Sequence, residues 1–440
     1  MKSGIFLSIF IIKGEKTMID INLIRNSADL VAARLKKRGV EISFSSMLED
    51  DKKVRELKKQ ADELKAQRNT VSKSIPQLKK ENKPVEPVFD EMRKLGEQIE
   101  QIDTQIKVLE ERIFNFIASL PNMPDDDLKT GDKEANEVVY SYLEKPTFSF
   151  PVKNHVELCE MHHLIDYKRG AKLAGNGNWI YTGMGARLEW AILNYFIDEH
   201  LKDGYAFMLI PHMLNYECGF GAGQFPKFND DVYWLKDGEE EETKFLLPTS
   251  ETALVNVHSN EILTEEELPK KYFGYSPCYR KEAGSYRAEE RGMIRGHQFN
   301  KIEMVQYTMP ENSDKAFDEL VKKAQRLVEG LGLHYQLSKL ASGDISASMA
   351  RTYDIEVLVP SMGYKEVSSV SNARDYQARR SNTKFRNKQT GKLEFVHTLN
   401  GSGLATSRII PAIVEQYQQE DGSIKVPEVL VKYLGVDVIK

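Results

Sequence analysis

Four arginines, Arg280, Arg287, Arg291 and Arg295, crowd one stretch of this chain, Phe273 to Gln306 (FGYSPCYRKEAGSYRAEERGMIRGHQFNKIEMVQ). A guanidinium offers a planar fork of donors that matches phosphate oxygens, so such a cluster suits a polyphosphate. Cys278-Tyr279-Arg280 leads in, and Phe299 to Val305 leads out with side chains alternating in character, the mark of two antiparallel strands. The loop between them, Ala283 to Gly296, is long for a structural hairpin, and long charged loops between strands are more often functional. A solvated surface hairpin is the plainer alternative.

Other segments carry polar groups that a core would not need. Phe245 to Thr252 (FLLPTSET) runs from a strand into a helix start, where Thr249 or Ser250 could be a cap and Glu251 could meet a ligand ammonium. Tyr364 to Val370 (YKEVSSV) reads as a strand whose carboxylate and hydroxyls could hold Mg²⁺ through oxygen. Phe395 to Arg408 (FVHTLNGSGLATSR) reads as strand, glycine turn and helix, the turn letting a ligand approach the backbone. Arg408 then opens an amphipathic helix through Ile409, Ile410, Ile413 and Val414. Gly219 to Gln224 (GFGAGQ) lacks the lysine and spacing of a Walker loop and reads as a mobile loop; no dinucleotide fingerprint is present. Spacing reveals no Ser-His-Asp or Cys-His set.

At 440 residues the chain has room for two or three domains, and a 41% hydrophobic content supports a core. A net charge of −5 gives no global basic field, so any nucleic-acid contact needs a local patch. No run approaches the roughly 20 apolar residues of a membrane span. Cys159, Cys218 and Cys278 are far apart, which argues for a reducing, cytoplasmic setting and against a disulfide frame or a cysteine zinc site. Residues 1–17 imitate a short signal peptide but lack a small-residue cleavage site, and are expected to be a disordered extension ahead of Met18.

The elements that must position these groups begin with an arm. Ile19 to about Glu49 predicts two short helices anchored by Leu23, Ile24, Leu30, Val31 and Leu35, with Gly39 as a cap. Val54, Leu57, Ala61, Leu64, Arg68, Val71 and Ile75 then alternate spacings of three and four, with Arg68 breaking the seam and Pro76 ending it. The rhythm returns from Met92 to Leu120, and Pro121 and Pro124 close it. Two such seams predict an antiparallel coiled-coil hairpin. A helix of about 30 residues extends roughly 45 Å, too thin to be a domain core. Lysines and arginines outnumber acids on the first helix, and Lys79, Lys80 and Lys83 lie near the tip. A basic rod can grip a phosphate backbone, although a lysine-rich coil can also be only a soluble spacer or dimerisation coil.

Beyond the proline- and acid-rich stretch from Pro121 to Val139 lies the body. His155 to Gly170 shows a helix-like pattern, Trp179 to Tyr181 a strand, Gly185 to Leu201 a long helix, and Tyr205 to Ile210 a strand ending at Pro211.

Together these segments resemble a class II aminoacyl-tRNA synthetase, and the match to the bacterial type of seryl-tRNA synthetase is close. The resemblance runs from Met18 to the C-terminus. It rests on the opening MIDINLIRNSADL, the hairpin arm, Thr249-Ser250-Glu251, the block YRKEAGS…RGMIRGHQFNKIEM and the block HTLNGSGLATSR. It implies an α+β fold, with a tRNA-binding helical arm over 18–125 and, over 126–440, a catalytic domain built on an antiparallel sheet flanked by helices. It implies serine activation with ATP, then transfer to tRNA(Ser) and to tRNA(Sec), by a homodimer that uses Mg²⁺ and no zinc.

The resemblance also assigns residues. Arg280 would grip the α-phosphate and the serine carboxylate, with Lys281 beside it. Glu282 would face the adenine amino group, Phe299 would stack under the ring and Arg408 would cover its other face. Arg295 and Arg408 would hold the outer phosphates. Glu366 and Ser369 would ligate Mg²⁺ in a nucleotide-binding run with Val367 and Ser368. Thr249, Ser250 and Glu251 would form the serine-ammonium side, and Glu303 and Ser402 would meet the serine hydroxyl. The helix from Gly185 to Leu201 with Pro211 would form the dimer. Two rival readings stay open: an adenylating enzyme that loads a carrier protein, which the long arm disfavours, and a non-catalytic synthetase-like scaffold, which Arg280, Glu303, Glu366 and Arg408 disfavour.

Overall fold

The computed structural model describes residues 18–236, 244–282 and 292–440. Arg287, Arg291 and the extension 1–17 lie outside them. The chain divides into two compact units. Among the described residues, one takes in 18–36 and Val40–Leu120, the other Lys37–Gly39 and Pro121–Lys440.

In the first unit, α1 (Ile21–Lys36) is kinked at Ser27, which supplies the two short helical pieces expected there. Ile24, Val31 and Leu35 are buried, while Leu30 points outward and is not the anchor its letter suggests. Gly39 follows with φ +75°. The long helices α2 (Ser45–Lys80) and α3 (Glu86–Ser119) form the antiparallel hairpin. Its buried seam takes Val54, Leu57 and Ala61 from α2 and Leu95, Ile99, Ile106, Leu109 and Ile113 from α3. Lys58–Glu110 at 2.8 Å and Lys65–Asp103 at 3.3 Å flank it. Arg68 lies against Gly96, where a Cβ would stand in ordinary contact, 4.0 Å from its guanidinium. Pro76 does not end α2, which runs on to Lys80. Proline costs a helical N–H and crowds the preceding turn, yet Ile75 and Leu78, both half-buried, carry the seam past it.

The second unit is built on an eight-stranded sheet: β1 (Glu137–Tyr142), β2 (Ala206–Met208), β3 (Lys270–Tyr279), β4 (Gln298–Thr308), β5 (Tyr335–Lys339), β6 (Arg351–Val359), β7 (Gly363–Arg374) and β8 (His397–Ala405). The spatial order is β1-β5-β6-β7-β8-β4-β3-β2. Every pair is antiparallel except β2 with β3. Helices α4 (Gly183–Lys202), α5 (Ser313–Gly330) and α6 (Thr406–Gln416) contribute Ile192, Phe196, Leu320, Leu327, Ile409 and Ile413 to its main core.

Three local expectations change. His155 to Gly170 is two helices, His155–Met161 and Tyr167–Ala174, separated by a turn at His163 (φ +52°) and a two-residue strand. The second has its own cap, since Asp166 accepts from the Arg169 N–H at 2.8 Å. The glycines of HTLNGSGLATSR make no turn; Gly401 and Gly403 lie within β8. A Cβ on Gly401 would come within 3.2 Å of Val370, and one on Gly403 would collide with the His200 ring, so these glycines serve close packing. GFGAGQ begins as helix, Tyr216–Gly221, and a Cβ on Gly219 would collide with the Phe225 ring.

Candidate active site

Strand alternation builds the site's floor. β3 and β4 pair in register from Tyr279↔Gln298 to Lys270↔Tyr307, and period two puts Phe299, Lys301 and Glu303 on one face of β4. β8 on the other side sets Ser402 opposite Glu303. Arg280 leaves the end of β3, held by its N–H to His297 O at 2.9 Å and by Nε to Pro248 O at 3.2 Å. Arg408 sits in the first turn of α6 and donates to Glu366 O of β7 at 2.6 Å.

These elements enclose a cleft with about 500 Å³ of empty space, lined among others by Arg280, Glu282, Arg295, Phe299, Lys301, Glu366, Val367, Ser402 and Arg408. Arg280 lies over the Phe299 ring at 5.2 Å, and Glu282 accepts from Arg295 at 2.5 Å. Glu282 holds a left-handed backbone, φ +50°, where the chain turns out of the strand.

Glu366 and Ser369 differ by three positions, which would set them on opposite faces of a regular strand. The β6–β7 register steps from Ile355↔Ser368 to Glu356↔Glu366, so Val367 is an extra residue in a bulge. The bulge returns Glu366 to the face of Ser369, Asp354 and Glu356. Ser369 donates to Asp354 Oδ1 at 2.6 Å. Burial raises the Glu366 carboxyl, but Arg408 and Arg280 outweigh it and hold it below its ordinary value. Burial, then the charge of Glu366, pushes Asp354 well above the carboxylate range. Among the described residues no group of three or more His, Cys, Asp or Glu is arranged to hold a metal alone. An ionised carboxylate and a hydroxyl on one face nevertheless fit Mg²⁺, which takes one or two protein oxygens beside substrate phosphates.

Next to this cleft is a polar pocket. Lys301, 7% exposed, donates to Thr249 Oγ1 at 2.8 Å and forms an ion pair with Glu303, which also accepts from Thr249 at 3.2 Å. Glu251 begins the short helix Glu251–Leu254 and accepts from Gln377 at 2.8 Å. Burial, then Glu303, raises its carboxyl to about 7, against the opposing effects of Gln377, Lys301 and Asn400.

Three expected side chains are turned elsewhere. Ser250 is buried against Ser276 of β3, hydroxyl to hydroxyl at 2.7 Å. Ser368 faces away from Glu366 and donates to Ser402 O at 2.6 Å. Lys281 follows the strand end, where its N–H bonds Asp231 O and its ammonium lies 5.9 Å from the Tyr233 ring centre. Lys301 and Gln377 were missed. Lys301 had a signal, standing two residues from both Phe299 and Glu303; Gln377 had none, since it reaches the pocket from a distant helix.

Two family models match the chain: the seryl-tRNA synthetase N-terminal domain over residues 18–124, and the class II tRNA synthetase core domain (G, H, P, S and T) over 233–417. The chain is 58% identical over 423 residues to serine–tRNA ligase 2 of Clostridium acetobutylicum, covering 96% of this chain and all of that protein. It is 42% identical to serine–tRNA ligase of Thermodesulfovibrio yellowstonii, again over 96% of this chain. The structure is similar to that of seryl-tRNA synthetase from Pyrococcus horikoshii complexed with ATP, with a TM-score of 0.87, 31% identity, and coverage of 96% of this chain and 99% of that one.

Proposed function

This chain belongs to the seryl-tRNA synthetase family, and from that premise we propose how it works: it activates L-serine with ATP, releasing pyrophosphate, and transfers serine from the seryl-adenylate to the 3′ end of tRNA(Ser). The observation that carries the reading is the convergence of Arg280, Arg295, Phe299, Glu366 and Arg408 on one cleft beside the Glu251–Lys301–Glu303 pocket.

Activation is an in-line attack of the serine carboxylate on the α-phosphorus. The nucleophile is already ionised, so catalysis consists of positioning and charge neutralisation. Arg280 binds the α-phosphate and the attacking carboxylate. Phe299 and Arg408 sandwich the adenine, whose amino group faces Glu282. Arg295 leaves Glu282 to hold the outer phosphates. Glu366 and Ser369 would hold Mg²⁺, which would supply charge neutralisation at those phosphates. Glu251 and Thr249 take the serine ammonium. Glu303 and Ser402 take its hydroxyl, so alanine would leave a buried carboxylate short of a partner, a basis for rejection by roughly 10⁴-fold.

The first helix of the hairpin, in which lysines and arginines outnumber acids, grips the tRNA backbone, and tRNA(Sec) is a second acceptor. A homodimer forms through α4 and the sheet edge at β2, where Trp190, Phe207 and Leu209 expose 51%, 39% and 78% of their surface. The enzyme works in the cytoplasm. Amino-acid-dependent ATP–pyrophosphate exchange tests the reading: serine alone should support exchange, and exchange with no amino acid, or with another in preference, would refute it.

A further inference from the structure

We propose that Gln377 is a positioning residue for the substrate's ammonium group, holding the Glu251 carboxylate in place without neutralising it. This rests on the serine-activation reading above. Gln377, in the helix Tyr376–Ser381, is 1% exposed. Its amide nitrogen donates to Glu251 Oε1 at 2.8 Å and to Ala222 O at 3.0 Å, and its oxygen accepts from Thr398 Oγ1 at 2.7 Å. A backbone carbonyl only accepts, so the bond to Ala222 dictates which end of the amide faces Glu251. Both N–H groups are thereby committed. Arg380 of the same helix bonds Phe220 O at 2.6 Å and Phe225 O at 2.5 Å, pinning the helix to the segment that carries Ala222.

The choice of an amide has a charge logic. The pocket holds two carboxylates, Glu251 and Glu303, and one ammonium, Lys301, so its net charge suits one further cation. A lysine in place of Gln377 would cancel that charge. A neutral donor favours the ionised form of Glu251 while leaving the charge for the ligand. The groups facing Glu251 are Glu303 and Lys301 from β4, Asn400 from β8 and Gln377; Glu303 raises its carboxyl and the other three lower it. Losing the Gln377 donor therefore moves Glu251 further up.

The test is pyrophosphate exchange with the full chain, comparing Gln377→Met, Glu251→Gln and the double variant across pH. Gln377→Met should raise the serine KM about tenfold or more, the worth of a hydrogen bond to a charged group, with the ATP KM within about twofold. The acid limb of kcat/KM for serine should move to higher pH. In the Glu251→Gln background the same substitution should add nothing to the serine KM. Should Gln377→Met not fold, Gln377→Glu, which sets a second acid beside Glu251, should show the same displacement of the acid limb more strongly. An unmoved serine KM and acid limb, a parallel rise in the ATP KM, or equal losses in both backgrounds would overturn the proposal. Wild type without serine-dependent exchange would instead overturn the functional reading.

Discussion

Glu366 and Ser369 share one face of β7 although their spacing is odd, because Val367 bulges out of the β6–β7 ladder. The bulge brings two oxygen donors to one side of the strand, where they would suit Mg²⁺. Ser369→Ala should therefore raise the Mg²⁺ concentration that half-saturates ATP binding by about tenfold, in keeping with the loss of one ligand or its support. Equilibrium nucleotide titrations at varied Mg²⁺ check this, and an unchanged midpoint would take Ser369 out of the metal's reach.

Arg280 stands at the mouth of β3 with its backbone pinned to His297, so its guanidinium is delivered by the sheet. Arg280→Ala should cut kcat/KM for exchange by about 10² to 10³, some 3–4 kcal/mol of transition-state stabilisation. A near-wild-type rate contradicts its assignment.

Glu189 of α4 offers a stability test. It is buried, accepts from Asn300 at 2.7 Å and Thr406 at 2.6 Å, and burial raises its carboxyl to about 7 despite these donors. The folded chain thus binds a proton that the unfolded chain releases near pH 4.5. Stability from this group is full below about 4.5 and is lost as pH rises through about 7, a change on the order of 3 kcal/mol. Glu189→Gln should flatten the decline in melting temperature between about pH 5 and about pH 8, measured by calorimetry. Parallel pH curves for the two proteins would contradict the assignment.

How much of this was legible in the letters depends on how far apart the partners lie along the chain. The α2–α3 seam repeats over many turns, so heptad spacing revealed it, and Phe299, Lys301 and Glu303 share a face by simple alternation. Gly401 and Gly403 misled because glycine signals a turn and a tight packing site alike; only the positions of Val370 and His200 decide between them. Gln377 and Arg380 were invisible because their partners, Glu251 and Phe220, lie more than a hundred residues away. The orientation of Ser250 toward Ser276 had no local signal either.

The hairpin tip carries Lys79 and Lys80 in the last turn of α2. Replacing both by glutamate should leave serine-dependent exchange intact while weakening tRNA binding. It should also flatten the salt dependence of binding, by about one unit of slope for each phosphate no longer neutralised. Filter-binding titrations at several salt concentrations read both quantities. Unchanged affinity and slope would make the tip a spacer.

One cleft, on this reading, joins serine to ATP and passes the product to tRNA. Charging a panel of purified tRNAs with labelled serine and ATP puts that to the test in a single assay. Label should appear on the serine acceptors alone and should depend on ATP. A panel left uncharged with serine, or charged in preference with another amino acid, would contradict it.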